Sequence, residues 1–502
     1  MRFVRPGVLG VVLMMGAAGL GACSAGSAEP AGAGAGESSG AGGKVSFDIF
    51  RAPAVDDGGL VNISGDLLAV LEGGELAGAC ERYWKGAKDR RSRLLCGKSM
   101  FFYESFGTAG VPAVIPKFLV ENFPEEIGPG FSKLGMIADP TSKAKLPLGM
   151  VPTTPLGGTV EALAFSCASC HFGRLPDGRY AVGAPNHAYQ YGKHNLAMAL
   201  FPMLATPLGN AKDQDPEAVA AIQPLLDRVK AEPALGQKLL MALLPLAGAS
   251  GQVPPFPKEA QRHYARWKSG TMDFFIEPLP FNDRVHTVSK ISALWAIPDP
   301  EEQTAAGMRH AMLGWTGGTS SLLNFVKEFV SLGGGKLADW PEERILPLVE
   351  YIYTLRSPDN LSPPPADQAE RGAALFAEKG CLRCHGGPRG SGLDVYTYDE
   401  IGTDREMGRW SDPELSGEPC CNITFEPGDE ITHGIKSPRL NGLWAFSRFL
   451  HNGSVDSLES LFCLVPRGSI SEPAYGDGGH WYTCDGLDDE QKRDLIAFLR
   501  SH

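Results

Sequence analysis

Beyond its N-terminus, the 502-residue chain lacks any hydrophobic run long enough to cross a lipid bilayer. A membrane-spanning helix needs about 20 consecutive apolar residues, so the chain after this first segment is not expected to span a membrane. Positive charge is also scarce, because 46 Lys and Arg residues stand against 58 Asp and Glu residues, giving a formal net charge of −12. This acidic balance argues against nucleic acid as a partner.

The N-terminal apolar run is typical of a bacterial targeting segment. Arg2 and Arg5 precede the apolar core VLGVVLMMGAAGL, and the small residues Leu-Gly-Ala lead into Cys23. This ending resembles a lipobox, in which the cysteine becomes the lipidated first residue; ordinary signal cleavage with an incidental thiol is the alternative. Loss of Arg2 and Arg5 would change the formal charge from −12 to −14. We therefore predict a lipoprotein signal peptide over 1–23 and a membrane anchor at Cys23.

Residues 24–46 contain almost no large apolar side chain and predict a flexible tether. Such a tether behind a lipidated cysteine holds a folded domain away from the bilayer. The location predicted from these features is the bacterial cell envelope, facing the periplasm or the cell surface.

Four of the eleven cysteines lie in two C-x-x-C-H motifs. The first contains Cys167, Cys170 and His171, and the second contains Cys381, Cys384 and His385. Two thiols one helical turn apart can bond the two vinyl groups of one porphyrin, and the adjacent histidine then ligates the iron. The motifs predict two covalently bound haem c groups. The alternative is a pair of disulfides or redox C-x-x-C sites.

The spacing of six further cysteines matches no zinc site. In an oxidising compartment they are expected to form disulfides, but six cysteines allow 15 pairings. The only pairing that we predict joins Cys80 to Cys96. The six residues are Cys80, Cys96, Cys420, Cys421, Cys463 and Cys484.

The second motif lies within a helical frame. Asp367 and Glu370 predict a capping box for a helix that runs towards Cys381, and Asp488 predicts the cap of a closing amphipathic helix. A helix before the haem motif and a closing helix after it resemble the c-type cytochrome fold, here over about 366–502. After Asp339, the apolar periodicity predicts a comparable closing helix for the first motif, followed by a Pro-rich linker.

Two pairs of segments repeat in the same order in the two halves. SKISALWAI at 289–297 matches PRLNGLWAF at 438–446, and WTGGTSSL at 315–322 matches HNGSVDSL at 451–458. An internal duplication explains this order. We predict a mainly α fold with two cytochrome c-like helical domains in tandem. The predicted segments are a lead-in at 47–160, a first haem domain at 161–357 with a helical insert at about 198–281, a linker at 358–367 and a second haem domain at 368–502.

The segment 435–462, IKSPRLNGLWAFSRFLHNGSVDSLESLF, resembles the stretch after the second haem in bacterial di-haem cytochrome c peroxidases and MauG-like enzymes. In that family a Lys-x-Pro-x-Leu segment leads into Tyr-x-His-(Asp or Asn)-Gly. The WTGG segment at Trp315 is similar to the Trp-Asp-Gly-Arg segment of the family. The resemblance covers roughly 160–200 and 285–502. It implies peroxidase- or oxygenase-like redox chemistry.

The loop His187-Ala-Tyr-Gln-Tyr-Gly-Lys-His194-Asn is similar to the family's His-Gly-Trp-Gln-x-Gly-x-x-Asn loop. The resemblance makes His187 the candidate distal ligand and catalytic residue of the first haem; a surface histidine is the alternative. His194, His263, His286 and His310 are further candidates. One family feature is missing, because the segment after Trp315 lacks the Glu-Met-Gly that supplies an acid–base group.

The segment GGHWYTCDGL is similar to one in the rubber-oxygenase branch and makes His480 the first candidate for the distal ligand of the second haem. His451 is the second candidate, with contact to a propionate or to backbone as its alternative role, and Met407 is the third. Candidate propionate donors, chosen by residue type, are Arg439, Trp444 and Arg448.

Two functions remain open at this stage. The first is an oxidoreductase in which a reactive first haem receives electrons through a six-coordinate second haem. The alternative is a non-enzymatic electron-transfer lipoprotein with both haems six-coordinate. In either case we expect a redox partner, such as a small cytochrome or another electron donor, besides the membrane.

Overall fold

The computed structural model describes residues 47–206, 209–248, 257–273, 288–409, 412–416, 426–468, 476 and 478–502. Helices dominate these residues, so the predicted mainly α fold is confirmed. Among the described residues, no helix is both long enough and apolar enough to cross a membrane. Cys23, Cys420, Cys421 and His286 lie outside the described residues.

The lead-in region packs against the region of the first motif. Its helix Arg90–Tyr103 lies against the closing helix Glu342–Thr354, and the approach is so close that a Cβ on Gly97 would lie 2.0 Å from the carbonyl oxygen of Pro347. A disulfide joins Cys80 to Cys96, as predicted. The α-helices of this region are Leu67–Val70, Ala79–Lys85, Arg90–Tyr103, Val114–Asn122 and Pro124–Ile127.

Short antiparallel strands hold the first motif in place. Strands Met150–Leu156 and Val160–Phe165 pair with each other, and the second leads directly into Cys167. After the motif, Phe172–Arg174 pairs with Tyr180–Val182. The other strands are Ile63–Ser64, Val111–Pro112, Thr271–Asp273, Val288–Lys290, Val395–Thr397 and Gly434–Lys436.

The insert is helical where it is described, as its Leu and Ala periodicity predicts. It packs against helices Tyr191–Leu204 and Val114–Asn122, in a hydrophobic cluster separate from the one around helix Arg90–Tyr103. The insert helices are Pro216–Ala221, Gln223–Ala231, Pro233–Leu243 and Lys258–Arg266.

The second motif lies beside a pair of crossed helices, Ala366–Glu378 and Asp489–Arg500. Asp488 caps the closing helix in a capping box with Gln491, as predicted for the cap. The capping box predicted for Asp367 and Glu370 is wrong. The first helix begins at Ala366, two residues earlier than a cap at Asp367 would place it, and Asp367 pairs with Arg371 one turn on instead of capping the helix.

The remaining α-helices are Ala168–His171, Pro300–Ala305, Leu322–Leu332, Leu382–His385, Tyr398–Ile401, Pro413–Ser416 and Leu458–Leu461.

The repeated segments have matching local structure. Leu313 bridges Thr319 in the first half, and Phe449 bridges Val455 at the same positions in the second half. Gly317 and Gly453, which match in the repeat, have φ angles of 73° and 71°. Ser321 and Ser457 each cap the helix that follows. This agreement supports the internal duplication; the domain boundaries stay predictions.

Candidate haem sites

The first C-x-x-C-H motif forms a short helix, Ala168–His171, directly after a strand. Ser166 fixes its start by donating a hydrogen bond from its hydroxyl to the carbonyl oxygen of Phe102, at 2.8 Å. The His171 Nδ1 lies 2.8 Å from the carbonyl oxygen of Ser292. Burial lowers the pKa of His171 to about 4, so its ring is neutral. A neutral ring that donates from Nδ1 to a carbonyl presents Nε2 as a metal ligand.

The second motif repeats this arrangement on helix Leu382–His385. The His385 Nδ1 lies 2.6 Å from the carbonyl oxygen of Gly390. Again the carbonyl fixes the tautomer and leaves Nε2 to ligate.

None of the four motif cysteines forms a disulfide within the described residues, although disulfides join Cys80 to Cys96 and Cys463 to Cys484. Thiols held one helical turn apart, next to an oriented histidine, are the groups that covalent haem attachment needs. The arrangement therefore favours haem over the alternative of two disulfides.

Both motifs line one cavity of about 550 Å³. This volume lies within the range of about 300–1,000 Å³ that is usual for cofactor pockets. The lining residues come mostly from four places: the two motifs, the repeated segments, helix Leu322–Leu332 and the loop before the closing helix. Met272 alone of the described insert residues lines the cavity, so the described part of the insert does not form its main cover.

His480 lies opposite His385 across this cavity. The centres of the two rings are 6.4 Å apart. An iron with two imidazole ligands places ring centres roughly 6 Å apart, since each iron–nitrogen bond is about 2 Å and each nitrogen lies about 1 Å from its ring centre. The Nδ1 of His480 is buried without a hydrogen-bond partner. This geometry fits the predicted ligand of the second haem.

His187 is buried but does not line the cavity. Its Nε2 lies 3.0 Å from the carbonyl oxygen of Ile291, and its Nδ1 accepts a hydrogen bond from the backbone N–H of Ser447 at 3.1 Å. With both ring nitrogens engaged by backbone, His187 joins the two repeated segments. The prediction that it ligates the first iron gains no support from this geometry.

His194 does not line the cavity either. It is buried beside Phe131, Phe165 and Tyr189, and neither ring nitrogen has a hydrogen-bond partner. His310 pairs with Glu430 at 3.0 Å, away from the cavity lining.

His451 lines the cavity, and its Nε2 lies 3.2 Å from Asp404. Asn452 donates to the same carboxylate at 3.2 Å, so this pair orders the loop that carries Asp404. This contact is with a side-chain carboxylate, so the predicted contact of His451 with a propionate or with backbone stays a prediction. Met407 is buried and also lines the cavity.

Of the three predicted propionate donors, only Arg439 reaches the cavity. Its guanidinium donates to the carbonyl oxygens of Trp295 and Ala293, each at 3.0 Å. Trp444 instead donates from Nε1 to the carbonyl oxygen of Pro358. Arg448 donates to Ser269 and pairs with Asp456, so these two residues stabilise loops outside the cavity.

Sequence reasoning missed five charged residues that line the cavity: Lys290, Lys436, Glu328, Lys379 and Arg383. The repeat contained a signal for Lys290, because it occupies the position that matches Arg439. Lys436 lies in the Lys-x-Pro-x-Leu segment. No pattern indicated that Glu328 faces inward, since its burial depends on how helix Leu322–Leu332 packs.

Glu328 is buried, and its Oε2 accepts a hydrogen bond from the hydroxyl of Thr319 at 2.9 Å. Burial raises the pKa of Glu328 from its ordinary value of 4.5 to about 7, and repulsion by Asp429 acts in the same direction. At neutral pH this carboxyl can therefore both accept and release a proton.

No family model and no curated protein matches the chain. Among solved structures, hydrazine synthase of Kuenenia stuttgartiensis pressurised with 20 bar xenon is similar over 48% of this chain and 79% of its own, with 18% identity and a TM-score of 0.26. A likeness at this TM-score establishes neither a shared fold nor a shared activity.

Proposed function

We propose that the chain is a di-haem c-type cytochrome of the bacterial cell envelope that acts as a peroxidase- or oxygenase-like oxidoreductase. The observation that carries this proposal is the meeting of both C-x-x-C-H motifs at one cavity, each with a neutral or backbone-held histidine that presents Nε2. Haem bound there supplies one-electron chemistry and the chemistry of peroxide or dioxygen.

The second site is the electron relay. His385 and His480 would hold its iron from both faces, and a six-coordinate iron has no position for a substrate. An imidazole in place of a thioether lowers the reduction potential, which suits a group that donates electrons onward.

The first site is the reactive one. Among the described residues, the histidines that line the cavity are His171, His385, His451 and His480. His480 faces His385, and His451 is engaged by Asp404, so His171 has no evident partner across the first site. This asymmetry supports an open coordination position for peroxide or dioxygen beside an organic substrate.

Glu328 supplies the acid–base group that the missing Glu-Met-Gly would otherwise provide. Glu328 lines the cavity, and its Oε2 accepts a hydrogen bond from the hydroxyl of Thr319, which keeps the carboxyl in one orientation. With haem bound in the cavity, this carboxyl would accept a proton from an oxygen of the substrate and return it.

Electron paramagnetic resonance of the oxidised and half-reduced protein tests this proposal. We expect one low-spin signal from the second site and one high-spin signal, or a signal that becomes high-spin when the second site is reduced. Cyanide and carbon monoxide should bind one iron per chain. Two unchanging low-spin signals, with no binding of either ligand, would leave the non-enzymatic electron-transfer cytochrome.

A further inference from the structure

Three cationic side chains line the cavity where repeated segments of one half contact those of the other. Lys290 ends strand Val288–Lys290, Lys436 ends strand Gly434–Lys436, and Arg439 follows three residues later. The backbone N–H of Lys290 donates to the carbonyl oxygen of His451 at 2.7 Å, and that of Lys436 donates to the carbonyl oxygen of Trp315 at 3.0 Å. All three residues line the cavity, and the charges of Arg439 and Lys290 both act on Lys436.

No acidic side chain in the described part of the chain forms an ion pair with any of the three. The Lys290 ammonium lies over the rings of Trp315 and Phe446, 5.2 and 5.5 Å from their centres. Burial, together with the nearby charges of Arg439 and Lys290, lowers the pKa of Lys436 to about 7. Buried charges are costly unless they are paired, so this cluster is built for an anion that the polypeptide does not provide.

The position of the cluster indicates which anion it binds. Lys290 is two residues from Ser292, whose carbonyl orients His171. Lys436 is two residues from Pro438, whose backbone contacts the His385 ring. The segments that carry the cluster therefore also hold the two proximal histidines in place. A haem carries two carboxylates on one edge, and ammonium and guanidinium groups bind carboxylates strongly in a water-poor site.

We propose that Lys290, Lys436 and Arg439 form one carboxylate-binding site, shared by the propionate groups of both haems. This inference rests on the proposed presence of two haems. Since one set of charges faces both groups, it stabilises the reduced state of each and couples them electrostatically.

Reduction potentials of the intact, haem-loaded protein test the proposal. Lys290→Met and Lys436→Met should each lower both potentials, because loss of a nearby cation destabilises the added electron. Lys290→Arg and Lys436→Arg keep the charge and should keep both potentials near those of the parent protein. Lys117→Met is the control, since Lys117 lies outside the cavity lining and pairs with Glu161 at 2.7 Å; it should shift neither potential.

Haem content, measured as the pyridine haemochrome, separates this proposal from the proposed function. Absence of covalent haem from the parent protein would refute the proposed function itself. With two haems present, unchanged potentials in both Met variants would refute the shared site, and so would a shift confined to one haem. A shift of the parent's potentials on addition of acetate would also overturn it, because it would show that the cluster is open to anions from solution.

Discussion

The buried carboxyl of Glu328 should make the stability of the protein depend on pH. Its pKa is raised by burial from 4.5 to about 7, so the folded chain binds this proton more tightly than the unfolded chain does. Ionisation of Glu328 therefore lowers the free energy of unfolding. This loss is absent below about pH 4.5, grows as the pH rises and is complete above about pH 7. A shift of this size corresponds to roughly 3 kcal/mol.

Glu328→Gln removes the charge and keeps an oxygen that can accept the hydrogen bond from Thr319. Relative to the parent, the free energy of unfolding of this variant should rise between pH 4.5 and pH 7, reaching a gain of about 3 kcal/mol above pH 7. Chemical denaturation at several pH values measures this difference. Glu343→Gln, on an exposed position of another helix, should show no such trend. A constant difference between Glu328→Gln and the parent across this range would refute the reasoning.

Three further substitutions, two of them with a control, test the ligand, the packing and the anchor. His480→Ala should convert the second haem to high-spin, whereas His433→Ala, away from the cavity lining, should leave the spectrum unchanged. Gly97→Ala should destabilise the protein by about 1–3 kcal/mol, since its Cβ would lie 2.0 Å from a carbonyl oxygen, while Gly65→Ala meets nothing within 4 Å and should be nearly neutral in unfolding experiments. Cys23→Ser should release the protein from the membrane fraction, and unchanged fractionation would contradict lipidation.

Features determined by neighbouring residues could be predicted from the sequence. The cap at Asp488 depends on a few consecutive residues, and it was predicted correctly. The Cys80–Cys96 disulfide was also predicted correctly, because the two cysteines are only 16 residues apart. The prediction of a capping box at Asp367 was wrong because helix Ala366–Glu378 starts two residues earlier, so that Asp367 lies within the helix and pairs with Arg371.

Features determined by long-range packing could not be predicted. His187 is held by Ile291 and by Ser447, about a hundred and more than two hundred residues away along the chain, so its loop alone did not reveal where its ring lies. Lys290 and Lys436 become neighbours only because the two halves of the chain pack against each other. In the sequence, Lys290 and Lys436 cannot be distinguished from ordinary surface lysines. A charged residue indicates a site only when it is known to be buried.

The duplicated frame diverges at one identifiable point, and this divergence accounts for the two proposed roles. In both halves a β-bridge and a serine cap begin a helix at matching residues. In the first half the helix continues from Leu322 to Leu332 and carries Glu328 on its buried side. In the second half the helix ends at Leu461.

The early end of the second helix has a structural consequence. Cys463, two residues later, has a φ of 58° and is joined to Cys484, four residues after His480. The disulfide therefore anchors the loop that brings His480 towards His385. The first half extends a helix that carries Glu328, whereas the second half turns the chain away and carries His480 towards His385. A proton carrier and a sixth ligand are what the proposed reactive haem and the proposed electron relay respectively require.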